Sequence, residues 1–300
     1  MERNLETIQN CPICASQRLN IKHELKDYFL SKEKFTIQKC SDCGFEFTNP
    51  RPSKSAIEPY YQSENYISHS NKSHGLFARL YQFARYFNLA SKYAIIKKHS
   101  KGGKALDIGS GTGHFLHFLE SKKWIVQGIE PNKEAAELSR SKFGLNVGAE
   151  EQLANLKKHE FDLITMWHVL EHVHDLNTRF KEVAALIKPQ GTLVLALPNP
   201  ESYDAYYYDK YWAAYDVPRH LYHFKKGDVH NLANKHNFIV EKVYPMKLDA
   251  FYVALLSEKY RASKAIYLRA LWLGMRSNFK SNRKKPNTSS LIYILRPKGA

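Results

Sequence analysis

A glycine-rich turn between a strand and a helix constrains the fold of this chain more than any other feature. Residues 104–116 read KALDIGSGTGHFL. The apolar residues before the glycines predict the end of a buried strand, and those after them predict the start of a helix. Gly109, Gly111 and Gly113 allow a tight turn that brings backbone N–H groups close to a ligand. The pattern therefore predicts an α/β sheet with a ligand site at this turn.

Asp107 comes just before the glycines and bears on the charge of that ligand. A carboxylate repels a pyrophosphate and attracts an ammonium or hydroxyl group. In addition, His114 stands where the dinucleotide-binding fingerprint has its third glycine. Both features favour a zwitterionic nucleoside over NAD. A turn with a purely structural role is the alternative that these residues alone leave open.

Beyond this turn, strand and helix patterns alternate along the chain. The predicted strands lie at residues 124–129, 145–148, 161–166, 192–197, 238–244 and 290–295. The helices between them are predicted to begin at Asn132, Asn177 and Asp228. Alternation of this kind produces parallel strands joined by right-handed crossovers. The pattern therefore predicts a doubly wound, mostly parallel sheet with seven strands.

Four cysteines precede the sheet in two Cys-x-x-Cys pairs, Cys11 with Cys14 and Cys40 with Cys43. In a reducing compartment this spacing is typical of a zinc site in which each pair forms a tight knuckle. Disulfides or free thiols are the alternatives. Four protein ligands leave no position open for a substrate, so the predicted zinc ion is structural. We therefore expect residues 1–52 to form a small zinc ribbon.

Several motifs taken together resemble one family of enzymes. They are LDIGSGTGHFL, GIEP at the end of the second predicted strand, FDLITMWHVLEHV at the fourth and LIKPQGTLVLALPNP at the fifth. The set resembles the class I S-adenosylmethionine-dependent methyltransferases that act on small molecules. CPxC followed by CxxCGxxFTNPxP is similar to a zinc ribbon that some sugar and metabolite methyltransferases carry. The resemblance implies a Rossmann-like α/β sheet with an antiparallel seventh strand, S-adenosylmethionine as cofactor and a structural Zn²⁺.

The expected domain organisation follows from these motifs and from the connecting segments between them. Residues 1–52 form the ribbon, residues 53–100 a helical N-terminal cap, and residues 101–300 the methyltransferase domain. In the cap, apolar residues recur at helical spacing and are expected to lie against the sheet, namely Phe77, Leu80, Tyr81, Ala84 and Phe87. The last domain contains an aromatic lid at residues 200–226 and a basic helical insertion at about residues 250–286.

The resemblance also assigns cofactor-binding residues. In the turn region they are Asp107, Gly109, Ser110, Gly111, Gly113 and Phe115. Glu130, followed by Pro131, ends the second predicted strand, where an acid accepts two hydrogen bonds from a ribose diol; a surface carboxylate is the alternative. Glu150 is the candidate for the adenine amine, with a contact through the backbone alone equally open. Trp167 and His168 would flank the adenine or the sulfonium, because aromatic faces stabilise cations.

Acceptor chemistry is expected from the fourth strand and the lid. The lid reads PESYDAYYYDKYWAAYDVPRHLYHF and predicts either a pocket wall or an aromatic core over the sheet edge. The expected substrate-binding residues are Glu171, His172, Trp212 and Arg219. The catalytic candidates are His220 as general base, with Tyr222 and His223 beside it.

A divalent metal at His168, Glu171 and His172 is a second option, since an ExxEH motif binds one in some quinone and RNA-end O-methyltransferases. Hydrogen bonding that positions the substrate is the simpler interpretation of these three residues.

Charge and hydropathy bear on partners and location. The formal net charge is +16, and residues 259–285 hold nine Lys or Arg and no acid. Such a segment fits a membrane surface, a nucleic acid or a solvated helix. No apolar run reaches the ~20 residues that cross a bilayer, and the first residues lack the apolar region of a signal peptide, so we expect a cytoplasmic protein.

We therefore expect an enzyme that transfers a methyl group from S-adenosylmethionine to oxygen or carbon of a sugar, quinone or phenolic metabolite, an anionic or lipid-linked acceptor included. One alternative is an RNA methyltransferase that uses the ribbon and the basic C-terminal region. The other is a non-catalytic ligand-binding protein with the same fold.

Overall fold

The N-terminal part of the chain is built from short antiparallel strands around the two cysteine knuckles. The computed structural model describes residues 4–62, 76–281 and 285–299. The first strands are β1 (Leu5–Glu6), β2 (Leu19–Lys26), β3 (Lys34–Cys40), β4 (Glu46–Thr48) and β5 (Arg51–Pro52). β1 pairs with β5, while β2, β3 and β4 form consecutive antiparallel pairs. Phe35, Ile37, Phe45 and Phe47 are buried, and they pack into two apolar clusters that this small unit shares with the rest of the protein.

The remaining elements alternate between helix and strand. In chain order they are α1 (Leu76–Ile96), β6 (Lys104–Ile108), α2 (His114–Ser121), β7 (Ile125–Ile129), α3 (Lys133–Phe143), β8 (Val147–Gly148), β9 (Phe161–Trp167), α4 (Leu176–Leu186), β10 (Ile187–Pro198), α5 (Tyr203–Tyr208), β11 (Tyr222–His223), α6 (Lys226–Lys235), β12 (Phe238–Met246), α7 (Asp249–Tyr260), α8 (Ile266–Lys280) and β13 (Ser290–Pro297).

Seven of these strands form the central sheet, in the order β12-β13-β10-β9-β6-β7-β8. Neighbouring strands are parallel except at β13, which runs antiparallel to both β10 and β12. Residues in the middle of β9 and β10 are fully buried, as in parallel strands covered on both faces, including Leu163, Ile164, Val194 and Leu195. The predicted doubly wound α/β sheet is confirmed.

The ends of two helices show how well local sequence signals predicted the helix boundaries. α3 begins after Asn132, whose side chain accepts a hydrogen bond from the Ala135 N–H, and it ends at Gly144 in the left-handed conformation. The predicted cap at Asp228 was wrong by a turn. α6 starts at Lys226, and Asp228 in its first turn accepts a hydrogen bond from the Lys225 N–H.

The lid, residues 200–226, contains short regular elements. Its chain forms α5, two short 3-10 turns and β11, and β11 joins the N-terminal sheet as a strand beside β4. Trp212 is buried in an aromatic core that also contains Phe35 and Ile37 of β3. The Trp212 Nε1–H donates to the Asp204 carboxylate at 2.8 Å. The ring and the polar atom of Trp212 are thus both used inside the protein, which favours a structural role over its predicted contact with substrate.

The cap and the insertion were predicted as helices and form helices. Of the cap residues named above, the side chains of Phe77, Leu80, Tyr81 and Ala84 lie outside the described residues. Phe87 is exposed, which contradicts its predicted place against the sheet, whereas Ile96 is buried. α7 and α8, which we call the insertion hairpin, lie between β12 and β13. Among the described helices, none is long and apolar enough to cross a membrane.

Candidate functional site

The glycine turn after β6 is open on one side only. Gly109, Gly111 and Gly113 have φ values of +73°, +54° and +76°. A Cβ on Gly109 would lie 2.4 Å from Cγ2 of Val169, so this glycine is required by packing. A Cβ on Gly111 would meet nothing within 4 Å. The middle of the turn therefore faces free space, where a ligand can approach the backbone closely.

Two buried carboxylates flank this opening. Asp107 ends β6 and accepts a hydrogen bond from the Thr165 hydroxyl at 2.6 Å. Burial raises the pKa of Asp107 to about 7, although Thr165 and the Lys92 ammonium both act to lower it. Glu130 follows β7 and accepts from the Gly111 N–H at 2.7 Å. Burial also raises the pKa of Glu130. Both acids thus lie at adjacent strand ends, as predicted from their positions in the sequence.

Lys92 is a site residue that sequence reasoning missed. It lies on α1, with its Nζ 4.2 Å from the ring centroid of Trp167 and 5.8 Å from that of Phe115. Burial lowers the pKa of Lys92, and the negative charges of Asp249 and Asp107 act against that shift. No motif marks this lysine, because it enters the site from a helix that precedes the sheet. Only the packing of α1 on the sheet brings it there.

Two polar atoms near the turn lack partners. The Ser110 hydroxyl and the Trp167 Nε1–H are buried, and neither makes a hydrogen bond to the described residues. Burying such a group unsatisfied costs about 1–3 kcal/mol, so each is a candidate to bind a ligand. Phe115 packs edge-on against Trp167, with ring centroids 5.2 Å apart, and holds the indole in place.

Glu150 occupies the predicted position after β8 but is engaged by the protein. Its carboxylate accepts from Arg179 at 2.5 Å and lies 3.5 Å from the Lys54 Nζ. Pro131 follows Glu130 directly and is exposed.

His168 at the end of β9 is held between two carboxylates. Its Nε2 lies 3.0 Å from Asp249, and its Nδ1 lies 3.4 Å from Glu171. Burial alone would lower the pKa of His168, but Asp249 and Glu171 outweigh burial and raise it to about 10. The two carboxylates thus favour the protonated form of the His168 ring. A protonated ring has no lone pair for a metal, which disfavours the predicted metal set of His168, Glu171 and His172.

A histidine–glutamate cluster, composed of Glu171, His172 and His220, lies beside His168. One ligand atom from each member lies within 4.8 Å of the others. Glu171 is fully buried, and neither of its carboxylate oxygens accepts a hydrogen bond from the described residues. Burial opposes the charged form of Glu171, but the His168 cation and the neighbouring histidines keep its pKa below the usual value. The cluster therefore contains a negatively charged Glu171 carboxylate surrounded by imidazole rings.

Backbone carbonyls determine which nitrogen of each imidazole carries the hydrogen. The Nδ1 of His172 lies 2.9 Å from the Arg219 carbonyl, and the Nδ1 of His220 lies 2.8 Å from the Ala214 carbonyl. A carbonyl oxygen only accepts, so both rings donate from Nδ1. In the neutral rings, Nε2 then carries the lone pair. Burial lowers the pKa of His172 to about 4, which keeps that ring neutral.

The lid reaches the cluster through the N-terminal sheet. Its Leu221 N–H donates to the Glu171 carbonyl at 2.7 Å, and Thr48 of β4 donates to the His220 carbonyl at 2.7 Å. The Tyr61 hydroxyl lies 2.9 Å from Nδ1 of His172. His220 retains 12% side-chain exposure. His220 is thus held in place by hydrogen bonds and is still partly accessible from solvent.

Three other lid residues predicted for the site are structural. Arg219 is buried, with its Nη2 2.9 Å from Asp27 and 2.6 Å from Asp216. Tyr222 is buried, accepts from Arg51 and donates to the His174 carbonyl. Both polar groups have all their partners within the protein, which favours a structural role over the predicted substrate role of Arg219 and the predicted catalytic role of Tyr222.

His223 is buried in β11, with its Nε2 3.3 Å from the Thr48 hydroxyl. Burial holds the pKa of His223 well below the usual value. The buried position beside Thr48 favours a structural role for His223 over its predicted catalytic role.

The four cysteines converge as the motif predicts. Sγ of Cys11 lies 3.5 Å from that of Cys43, and Sγ of Cys14 lies 3.6 Å from that of Cys40. Their ligand atoms all lie within 4.8 Å of one another. Among the described residues, this group and the histidine–glutamate cluster are the two sets that meet that criterion.

The sheet order, the open glycine turn and the paired acids define a class I methyltransferase fold. A family model described as a methyltransferase domain matches residues 77–243, more than half of the chain. This chain belongs to that methyltransferase-domain family.

Curated relatives are named ubiquinone biosynthesis O-methyltransferase. One from Coxiella burnetii (strain RSA 493 / Nine Mile phase I) is 30% identical over 121 residues, 38% of this chain and 51% of the relative. Another from Neisseria meningitidis serogroup C is 30% identical over 114 residues, 34% of this chain and 48% of the relative. The chain thus spans about half the length of the curated relatives it matches.

Solved structures share the fold at lower identity. Magnesium protoporphyrin IX methyltransferase from Synechocystis PCC 6803, solved with bound SAH, has a TM-score of 0.52 and 12% identity, covering 81% of this chain and 99% of that one. A protein from Pyrococcus horikoshii OT3 has a TM-score of 0.51 and 15% identity, covering 80% and 99%. Such identities show the fold alone.

Proposed function

We propose that this protein is an S-adenosylmethionine-dependent methyltransferase whose acceptor is a hydroxyl group of a small molecule. The observation that carries the proposal is the pair of buried carboxylates, Asp107 and Glu130, on either side of the open turn at Gly111. One carboxylate suits an ammonium and the other a diol, which matches a nucleoside linked to an amino acid better than it matches a dinucleotide.

The residues present fit that cofactor. Asp107 would hold the methionine ammonium, and the Lys92 cation would hold its carboxylate. Glu130 would accept from the ribose hydroxyls, while the free space at Gly111 admits the ligand to the backbone. The unpartnered Ser110 hydroxyl and Trp167 Nε1–H supply two further donors. When bound, S-adenosylmethionine supplies a methyl group on a positively charged sulfur.

The protein's own contribution is alignment and removal of a proton from the acceptor. His220 is the proposed general base, because its Nδ1–H is fixed on the Ala214 carbonyl and its Nε2 carries the lone pair. Glu171 would stabilise the imidazolium that forms, since its buried carboxylate lies within 4.8 Å of His220 and, apart from its ion pair with His168, has no partner among the described residues that would compete. His168 and His172 position this carboxylate and the lid rather than taking the proton themselves.

Oxygen is favoured over carbon as the acceptor atom. The curated relatives are named as O-methyltransferases, and an imidazole base is well matched to a phenolic hydroxyl whose pKa is about 10. A phenol or reduced quinone is therefore the proposed acceptor class, with a sugar hydroxyl as the next choice.

The four-cysteine group is proposed to hold a structural zinc ion. Thiolates placed tetrahedrally 2.3 Å from zinc are separated by about 3.8 Å, close to the sulfur distances in this site. All four ligands come from the protein, so no position is left for substrate. Zinc would stabilise the sheet that carries β11 and, through it, the lid.

Calorimetric titration tests the cofactor, and labelled methyl transfer tests the reaction. We expect S-adenosylmethionine to bind and NAD not to bind. We also expect label from the cofactor's methyl group to appear in the low-mass fraction of a cell extract. Binding without transfer to any fraction would favour a non-catalytic protein, and label in RNA alone would favour the nucleic-acid alternative.

A further inference from the structure

Helix α8 exposes large apolar side chains along one face. They recur at intervals of three and four residues, so that they form a single stripe, composed of Leu268, Leu271, Trp272, Met275 and Phe279. Phe279 is 90% exposed and Leu268 75% exposed. Single exposed apolar residues are ordinary, but a continuous stripe of five marks an interaction surface.

The packing of α8 prevents this stripe from turning inward. The opposite face of the helix is buried and consists mostly of small residues, namely Ala270, Leu273, Gly274 and Ser277. A Cβ on Gly274 would lie 2.4 Å from the ring of Phe251 on α7. The close approach of the two helices therefore requires the small face to point toward α7, and it leaves the large residues outside.

Basic side chains follow one flank of the stripe. Arg269, Arg276 and Lys280 each come one residue after a member of the stripe, which places them beside it on the helix surface. The Arg276 guanidinium lies 4.9 Å from the Trp272 ring centroid, and the Lys280 Nζ lies 5.2 Å from that of Tyr203. No acidic residue occurs anywhere in residues 259–281. The surface is thus apolar in the middle and positive at its side.

We propose that this stripe and its basic flank, which we call the α8 face, dock on the surface of an anionic phospholipid bilayer. A helix lying in the interface buries its apolar stripe among the acyl chains, while Lys and Arg remain at the level of the headgroups. An open groove of about 400 Å³ adjoins the stripe, and its lining is half apolar and half polar, composed of Lys247, Phe251, Met275, Asn278, Phe279 and Ser281.

Two other occupants fit this surface less well. A second copy in a symmetric pair would place the basic flank of one α8 against the same flank of the other, and like charges repel. A nucleic acid would satisfy the charges but would leave Leu268, Leu271 and Met275 without an apolar partner. A bilayer with acidic headgroups matches both the apolar stripe and its charge.

Vesicle flotation with the full chain tests the proposal. We expect binding to phosphatidylcholine vesicles that contain a quarter phosphatidylglycerol, with much weaker binding to phosphatidylcholine alone. Leu268→Ser with Phe279→Ser should abolish flotation, and Arg269→Gln with Lys280→Gln should weaken it about tenfold at low salt, because each basic residue near an anionic surface contributes to the attraction. Matched controls are Ile21→Ser, an exposed apolar residue of β2, and Lys157→Gln with Lys158→Gln, both exposed.

The controls should float like the unmodified protein, and all variants should keep its melting temperature. Equal binding of the unmodified protein to both kinds of vesicle, or no binding to either, would overturn the proposal. A dimer in light scattering that the serine variants dissociate, without vesicle binding, would assign the face to a second copy. A shift of RNA in a gel that the glutamine variants remove, again without vesicle binding, would assign it to nucleic acid.

Discussion

The two halves of the candidate site are built in different ways. The cofactor half, composed of Asp107, Gly111, Glu130 and Lys92, lies mostly on consecutive strand ends of one sheet. The acceptor half is the histidine–glutamate cluster, which combines a turn after β9 with a lid that is anchored on the N-terminal sheet. Apart from Lys92, which α1 brings to the site, the first half depends on local sequence, whereas the second depends on the packing of two distant parts of the chain. Substitutions far away in the N-terminal sheet should therefore alter the acceptor half. The cofactor half should be altered only by substitutions of its own residues.

The largest effect is expected from the cysteine group. Cys40→Ser should release zinc and disorder the N-terminal sheet, because metal binding stabilises such small units. β11 belongs to that sheet, so methyl transfer should be lost while S-adenosylmethionine still binds. Zinc analysis by atomic absorption, calorimetry and the transfer assay measure the three quantities, with Ile21→Ser as the control. Full transfer activity in zinc-free protein would contradict the dependence of the acceptor half on the ribbon.

His220→Asn removes the proposed base but keeps a donor for the Ala214 carbonyl. We expect transfer to fall about a thousandfold, within the range for a lost general base, with cofactor affinity unchanged. His230, exposed on α6, provides the matched control His230→Asn. If His220→Asn retains normal turnover, His220 is not the base.

Arg219→Met tests whether this lid residue holds the fold together rather than the substrate. The change leaves the carboxylate of Asp27 buried without its partner, and breaking a buried pair costs about 3–5 kcal/mol of the free energy of unfolding. Urea denaturation measures the loss, and Asp27→Asn combined with Arg219→Met should recover part of it. A raised KM with unchanged stability would restore the substrate-binding prediction.

Asp107→Asn should weaken the cofactor half alone. Losing a hydrogen bond to a charged group costs about 1.5–3 kcal/mol, so the Kd for S-adenosylmethionine should rise by roughly tenfold to a hundredfold. Transfer at saturating cofactor should persist. Calorimetry measures the Kd, and the exposed Glu151→Gln serves as control. An unchanged Kd would remove Asp107 from the site.

The smallest expected effect is a pH dependence of the affinity for S-adenosylmethionine, which we assign to Asp107. Burial raises the pKa of Asp107 to about 7, and only the ionised form attracts an ammonium. Binding below that pKa must therefore release a proton, and the affinity should fall by about tenfold for each pH unit below 7. Asp107→Asn should flatten this profile between about pH 5.5 and 7. A profile that is equally steep in the variant would assign the titration to another group.

The contrast between the halves also explains how far the sequence could predict the structure. The glycine turn, Asp107 and Glu130 were predictable because each follows a strand pattern at a fixed position. The roles of Trp212 and Arg219 were not predictable, because an aromatic or charged lid residue looks the same in sequence whether it faces a ligand or a neighbouring sheet. Lys92 was missed since its place depends on how α1 packs, and the partners of Glu171 could be identified only after the lid had been located.

One paired measurement tests the central claim most directly. Calorimetric affinity for S-adenosylmethionine and transfer of its labelled methyl group to low-mass acceptors should be determined for the unmodified protein, Asp107→Asn and His220→Asn. We predict binding and transfer in the first, weaker binding with transfer at saturation in the second, and full binding with transfer reduced about a thousandfold in the third. Failure of the unmodified protein to bind S-adenosylmethionine, or a loss of both properties in His220→Asn with its fold intact, would contradict the account.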